Sequence, residues 1–275
     1  MQLATKFGYN APILRSSTPL ADEQIRQVAP SIFAADKHDS RSDRYTYIPT
    51  IEIVTKLRTE GFQPFMVCQT RVRIDAKREH TKHMLRLRHT SQVASPETPE
   101  IILLNSQDGS SSYQMLAGYF RFICQNGLVW GDTTHDIRVP HKGDVVDHVV
   151  NGAHEVLDGF GLIRERKDGM EAVQLDEGEQ RAFARSVLAL RYDGTEAPAP
   201  ITEDQLLHAR RTEDTRPDLW TTFQRVQENV IKGGLRGRSA AGRRTSTRSV
   251  TGIDQDLRLN RAMWVLAEEM RKLKG

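Results

Sequence analysis

Asp144, His148, Asn151 and Glu155 recur at i, i+4, i+7 and i+11, so a helix over this stretch would carry all four on one side. Oxygen and imidazole donors at that spacing suit a divalent cation. The same pattern describes the solvated side of an amphipathic helix, and this plainer reading is the expected one. A second possibility is a thiol nucleophile at Cys124 with His135 as its base. The apolar neighbours Phe122 and Ile123 instead predict an inert, buried cysteine. The chain contains no Walker-type phosphate loop, GxGxxG, GxSxG elbow, HExxH or CxxC. No enzyme activity, metal or organic cofactor is expected.

Arginine offers more. Segment 71–88 holds Arg71, Arg73, Lys77, Arg78, Lys82, Arg86 and Arg88, opposed only by Asp75 and Glu79. A second stretch, KGGLRGRSAAGRRTSTRS over 232–249, holds Lys232, Arg236, Arg238, Arg243, Arg244 and Arg248 and no acid at all. The guanidinium fork matches phosphate oxygens, and interspersed glycines let backbone approach a ligand closely. One charge run alone is ordinarily solvated surface. Two runs, one of them free of acids, point to an anionic partner. Tyr113 and Tyr119 are candidates to stack on unpaired bases beside such a patch.

These side chains need elements to position them. A short helix is predicted near 21–32 and another over TIEIVTKLRTEG, with Thr50 as its N-cap and Gly61 closing it. Strand signals follow in FQPFMVCQTRVRI, HMLRLRH and IILLNS. HMLRLRH alternates, which predicts a half-buried strand with Arg86 and Arg88 on its open face. Paired with the preceding strand, it would set Arg71 and Arg73 across from Arg86 and Arg88. Like charges so opposed destabilise a sheet unless an anion relieves them. In SSYQMLAGYFRFICQNGLVWGD, Asn126-Gly127 predicts a tight turn.

From Asp144 the apolar period becomes helical, through Val145, Val149, Ala153, Val156 and Phe160. Further helices are expected over DEGEQRAFARSVLALRY, RPDLWTTFQRVQENVIKGG and GIDQDLRLNRAMWVLAEEMRKLK, with DGTEAPAPITED as a linker. Strands in a run followed by helices indicate an α+β fold: an antiparallel β-meander, then a long helix, then a C-terminal helical region. Two parts are expected, an α+β core with a basic hairpin over 1–192 and a helical region with the arginine and glycine loop over 193–275. That loop, one-signed and rich in glycine, is expected to stay mobile until a polyanion orders it.

Composition sets outer bounds. With 275 residues, 38% hydrophobic and 27% charged, the chain is long enough for a substantial core. A net charge of +3 argues neither for nor against nucleic acid, so distribution has to decide. Two cysteines are too few for a disulfide framework. The opening MQLATKFGYN lacks the apolar stretch of a leader, and no run approaches membrane-spanning length, so a cytoplasmic protein is expected.

Two stretches carry a resemblance. YFRFICQNGLVWGD, with Arg121, Cys124 and Asn126, and the C-terminal GRRTSTRSVTGIDQDLRLNRAMWVLAEE, with Trp264, resemble the phage- and plasmid-borne proteins grouped as a domain of unknown function (number nine-three-two). The likeness covers most of the chain and implies a mobile element. At the level of fold, a meander leading into a long helix with an arginine-rich hairpin is similar to single-strand annealing proteins. That likeness implies a homo-oligomeric ring or filament that holds single-stranded DNA in a positive groove and promotes annealing or recombination without ATP. The competing expectation is a counter-defence or anti-restriction factor that sets its arginine loop against an acidic host protein.

Overall fold

The structure is a computed structural model and describes residues 2–3, 13–34, 48–70, 80–92, 97–106, 112–121, 126–129, 137–141, 144–193 and 198–274. Two compact units divide the chain, Met1–Phe160 and Gly161–Gly275. The fold is α+β.

The first unit is built on an antiparallel meander. Its strands are β1 (Gln2–Leu3), β2 (Ile13–Ser16), β3 (Phe62–Gln69), β4 (His83–His89), β5 (Glu97–Asn105), β6 (Tyr113–Arg121), β7 (Asn126–Val129) and β8 (Ile137–Val139). β1 to β7 lie in chain order, and β8 pairs with β6. Leu14, Val67, Leu85, Leu103 and Met115 are partners in turn across five strands, so they form one apolar row. Three helices lie against strands of this sheet: α1 (Asp22–Val28) and α2 (Thr50–Thr59) against β3, and α3 (Val145–Asp158) against β6. α3 buries Val145, Val149, Ala153 and Val156, the predicted stripe. It crosses β6 so closely that a Cβ on Gly152 would stand 2.3 Å from Met115 Cε, so a larger residue there would have to displace the end of that side chain.

Three local expectations are corrected here. Asn126 and Gly127 do not make the turn. They lie inside β7, opposite Arg121 and Phe120, because the ladder with β6 continues through them. Thr50 is not a cap. It is the first residue of α2, and its hydroxyl is drawn inward by buried side chains. The helix of 144–160 ends at Asp158, and a second helix, α4 (Phe160–Ala172), follows at once.

The second unit is mainly helical: most of α4, then α5 (Glu177–Tyr192), α6 (Glu203–Leu207), α7 (Leu219–Lys232) and α8 (Ile253–Lys274). α5 is started by a capping box between Asp176 and Glu179, and α7 by the Asp218 carboxylate, which accepts from Thr221 N at 2.8 Å. α7 packs against α5, α6 and α8, and Leu219 through Ile231 are all buried. Phe183, Trp220, Phe223 and Trp264 form the aromatic centre, with Trp220 and Phe223 stacked at 5.7 Å. Several polar residues of α7 are bonded to neighbouring elements. Gln227 donates to Asn260 at 2.9 Å, Asn229 to the Leu206 and His208 carbonyls, and Glu228 pairs with Arg211 and Lys232. Because α5 packs on this helix, it belongs with the C-terminal unit, and the division falls at residue 160 rather than the expected 192. The last two residues of the expected linker, Glu203 and Asp204, already belong to α6. Among the described residues no helix is long and apolar enough to cross a membrane.

Candidate nucleic-acid interface

The arginine and glycine stretch is not the expected open loop. It folds as a two-stranded ribbon, β9 (Arg236–Arg238) and β10 (Arg244–Ser246), with Arg238 opposite Arg244 and Arg236 opposite Ser246. Its tip is closed by backbone bonds. Gly242 N donates to Ser239 O at 2.8 Å, Ser239 N to Arg243 O at 2.9 Å, and Gly242 takes φ +73°. Its root is sewn shut by Thr247 N to Leu235 O at 2.8 Å and Gly234 N to Thr247 O at 2.9 Å. Gly233, at φ +63°, would pass within 2.7 Å of the Arg248 carbonyl carbon if given a Cβ, so the end of α7 and the returning chain meet only because that residue is glycine.

One face of the ribbon is docked and the other is open. A Cβ on Gly237 would lie 1.9 Å from the Pro200 carbonyl oxygen. That carbonyl accepts from Arg238 N at 2.9 Å, and Gln205 Nε2 donates to Arg236 O at 2.7 Å. Cross-strand partners share a face, so Arg236, Arg238 and Arg244 project together on the side away from Gly237. All three are exposed, as are Arg243 at the tip and Arg248 at the root. No carboxylate pairs with any of these five among the described residues. The outer edge of β9 is occupied by Pro200 and Gln205. The N–H groups of Arg244 and Ser246 turn outward along β10 with no partner among the described residues. At the root, Arg191 donates to the Arg248 carbonyl at 3.3 Å and lies over the half-buried Tyr192 ring at 5.6 Å.

Arg238 and Arg244 form a non-hydrogen-bonded pair, the closer of the two antiparallel geometries, with Cα atoms about 4.5 Å apart. Like charges so placed cost up to about 1 kcal/mol. The repulsion expected between two strands of 71–88 is therefore found on this ribbon. Lys232 does not belong to it. It is half-buried and bonded to Glu228 at 2.8 Å, one turn back along α7.

The N-terminal cluster is different from its expectation. Arg86 and Arg88 do share a face of β4, but that face is buried: they are 1% and 2% exposed. Glu100, on β5, explains this. Its carboxylate accepts from Arg88 Nε at 2.8 Å and from Arg86 at 3.3 Å. The Arg88 guanidinium also lies between two phenyl rings, 4.3 Å from Phe65 and 4.4 Å from Phe120. The charges opposed across β4 and β5 are thus unlike ones, bonded to each other inside the unit, and neither arginine is presented to a ligand. Arg71, Arg73 and Lys77 lie outside the described residues, as do Cys124 and His135. Lys82 is half-buried at the start of β4, where its carbonyl accepts from Thr70 N. Tyr113 and Tyr119 are buried, so neither serves as a stacking platform.

Two further groups need placing. Asp144, His148, Asn151 and Glu155 are exposed along α3, the solvated stripe of the plainer reading, with Asp144 accepting from Asp147 N as N-cap. Among the described residues no group of three or more His, Cys, Asp or Glu side chains is arranged to hold a metal ion. A buried polar network, by contrast, has no signature in the sequence. Ser31 Oγ lies 2.8 Å from His83 Nδ1, and His83 Nε2 lies 3.0 Å from Thr50 Oγ1. Asn105 donates to Thr50 at 3.1 Å and sits 2.9 Å from His141 Nε2. Burial pushes the His83 imidazole down to about 4, against a smaller opposing effect of a backbone hydrogen bond at Thr81. Gln69, His83 and Asn105 are register partners on three adjacent strands, a signal readable only once pairing is known. With Ser31, His83, Thr50 and Asn105 fully buried, this network ties α2 and the turn at Pro30–Phe33 to the sheet.

A meander with helices on its β3 and β6 strands, then a helical unit that presents an arginine ribbon, defines an α+β protein of two units. The chain belongs to the family described as Domain of unknown function (DUF932), whose model matches residues 37–264. Two proteins of Escherichia coli (strain K12), UPF0380 protein YfjQ and UPF0380 protein YafZ, are each 55% identical to it over 269 residues, covering 98% of this chain and 97% of each relative. No solved structure matches.

Proposed function

We propose that this chain is a DNA-binding protein of a mobile element that grips the phosphate backbone with its C-terminal ribbon. One observation carries this reading: five exposed arginines, three on a single face, have no carboxylate partner among the described residues, whereas elsewhere in the unit arginines are commonly paired. Outward N–H groups on β10 add uncharged donors beside them. A fixed array of guanidinium groups without counter-charges is complementary to a polyanion. Binding of this kind needs no nucleotide hydrolysis and tolerates many sequences. Single strands, annealing and assembly into a ring or filament rest on the resemblance to annealing proteins. That part of the proposal loses the support of Arg86 and Arg88, now internal. A cytoplasmic location belongs to the same proposal.

The test is a titration of labelled single- and double-stranded oligonucleotides against the wild type and a variant with Arg236, Arg238, Arg243, Arg244 and Arg248 all changed to Gln. The variant should keep or slightly raise its melting temperature, because these side chains are exposed and the Arg238–Arg244 repulsion is relieved. Its affinity should fall, and its salt dependence should flatten by roughly one unit for each phosphate no longer engaged. Unchanged affinity with an unchanged slope would remove the ribbon from the interface. Binding of an acidic host protein by the ribbon, with no retention of DNA, would favour the counter-defence reading instead.

A further inference from the structure

We infer that the ribbon reads duplex DNA from the major groove, and that single strands are the weaker ligand. This rests on the DNA-binding reading above and puts duplex in place of the single strands that only the resemblance supports. Three observations carry it. The ribbon is held by its own bonds, with both strands paired, its loop closed by Ser239 and Gly242, and one face fixed on Pro200. Its arginines share the exposed face of a paired two-stranded element, the form that a duplex groove admits. No aromatic residue occurs between Gly233 and Ser249, so the ribbon has no platform for unpaired bases. The ring at its root, Tyr192, is half-buried beneath Arg191.

The dimensions fit. Strands of this length span about 10 Å, and paired strands sit about 4.8 Å apart. The major groove of B-form DNA is about 12 Å wide and admits a two-stranded ribbon. Entered face-on, it would meet Arg236, Arg238 and Arg244 at the base edges, where the guanidinium fork matches the O6 and N7 acceptors of guanine. Arg243 at the tip, Arg248 at the root and the outward N–H groups of β10 would remain for the flanking phosphates. The anchoring of β9 by Pro200 and Gln205 fixes which edge leads: β10 is the edge free to face the backbone.

The experiment compares four probes of equal length, about 20 nucleotides per strand, long enough to span a full turn of duplex. They are duplex DNA rich in G·C pairs, the same duplex carrying 7-deazaguanine, one of its single strands, and the matching RNA duplex. RNA duplex carries a similar line of phosphates, but its major groove is too deep and narrow for side chains to read. Near physiological salt the DNA duplex should bind about tenfold or more tighter than the single strand or the RNA duplex. Removal of guanine N7 should weaken it severalfold. Changing Arg238 and Arg244 together to Lys should weaken duplex binding more than single-strand binding and reduce the effect of 7-deazaguanine, because lysine keeps the charge and loses the fork. Equal or tighter binding of single strands, or equal binding of the RNA and DNA duplexes, overturns the groove assignment while leaving DNA binding intact. Failure of all four probes at low salt overturns the DNA-binding reading itself.

Discussion

Glu100 decides what the arginines of β4 are for. Buried with Arg86 and Arg88 and bonded to both, it turns two candidate ligand-binding side chains into part of the interior. Breaking one side of a buried ion pair leaves an uncompensated charge and costs on the order of 3–5 kcal/mol. Glu100→Gln should therefore lower stability in urea unfolding by roughly that amount, whereas Arg243→Gln at the exposed ribbon tip should change it by less than about 0.5 kcal/mol. His83 gives the residue scale a pH signature. Its folded value, about 4, lies below its unfolded value of 6.5, so the unfolded chain binds the extra proton between those limits. Stability supplied by the neutral ring is fully present above pH 6.5 and is lost as pH falls toward 4. His83→Gln should flatten urea midpoints measured across that window, and a wild-type midpoint that stayed level would contradict the assignment. The alternation of HMLRLRH was legible in the sequence. The burial of its arginine side was not, because the carboxylate that permits it stands on another strand and becomes a neighbour only through β4–β5 register.

At the scale of elements, the ribbon reverses one expectation. Glycine and arginine content suggested a mobile loop, since glycine raises the entropy to be lost and like charges repel. The structure opposes this with a backbone bond to Pro200, in the stretch that reads as a linker because of its prolines, and a side-chain bond from Gln205 just beyond it. Gly237 is the point of contact. Gly237→Val would force its side chain into the Pro200 carbonyl and should lift the ribbon away while leaving the aromatic centre around α7 intact. Limited trypsin digestion checks this: cleavage at Arg236, Arg238 and Arg243 should be slow in the wild type and fast in the variant, with the near-ultraviolet circular dichroism of the tryptophans unchanged. Rapid cleavage of the wild type at these sites would mean that the ribbon is not held as described. Thr50 shows the same limit on local reading. Its residue type suits a cap, but the hydroxyl is worth more against His83 and Asn105 in a dry site than against solvated helix N–H groups.

For the whole molecule, the order of elements was the most legible feature. Consecutive strand patterns with short intervening segments imply a meander, and the change of period at Asp144 marks where helices begin. The division at Phe160 was not legible, because α5 is amphipathic either way and only its packing on α7 assigns it to the second unit. Net charge was uninformative for a physical reason. A value of +3 averages arginines that are neutralised by nearby acids with others, the five of the ribbon among them, that have no carboxylate partner among the described residues, and the second kind generates most of the field. DNA binding by the intact chain should accordingly weaken steeply with salt despite the modest total charge, with a slope set by the ribbon.

The docking of Gly237 on Pro200 has a kinetic side. An arm that must first order itself meets its ligand slowly, because few encounters find it in a competent shape. Here the arm is already shaped, so its encounter should be limited by diffusion and steered by its own field, near about 10⁸ M⁻¹s⁻¹ at low salt and falling as salt is added. In stopped-flow mixing, the observed rate should then rise linearly with DNA concentration and show no plateau from a prior conformational step. Freed by Gly237→Val, the arm should associate more slowly even though every arginine remains.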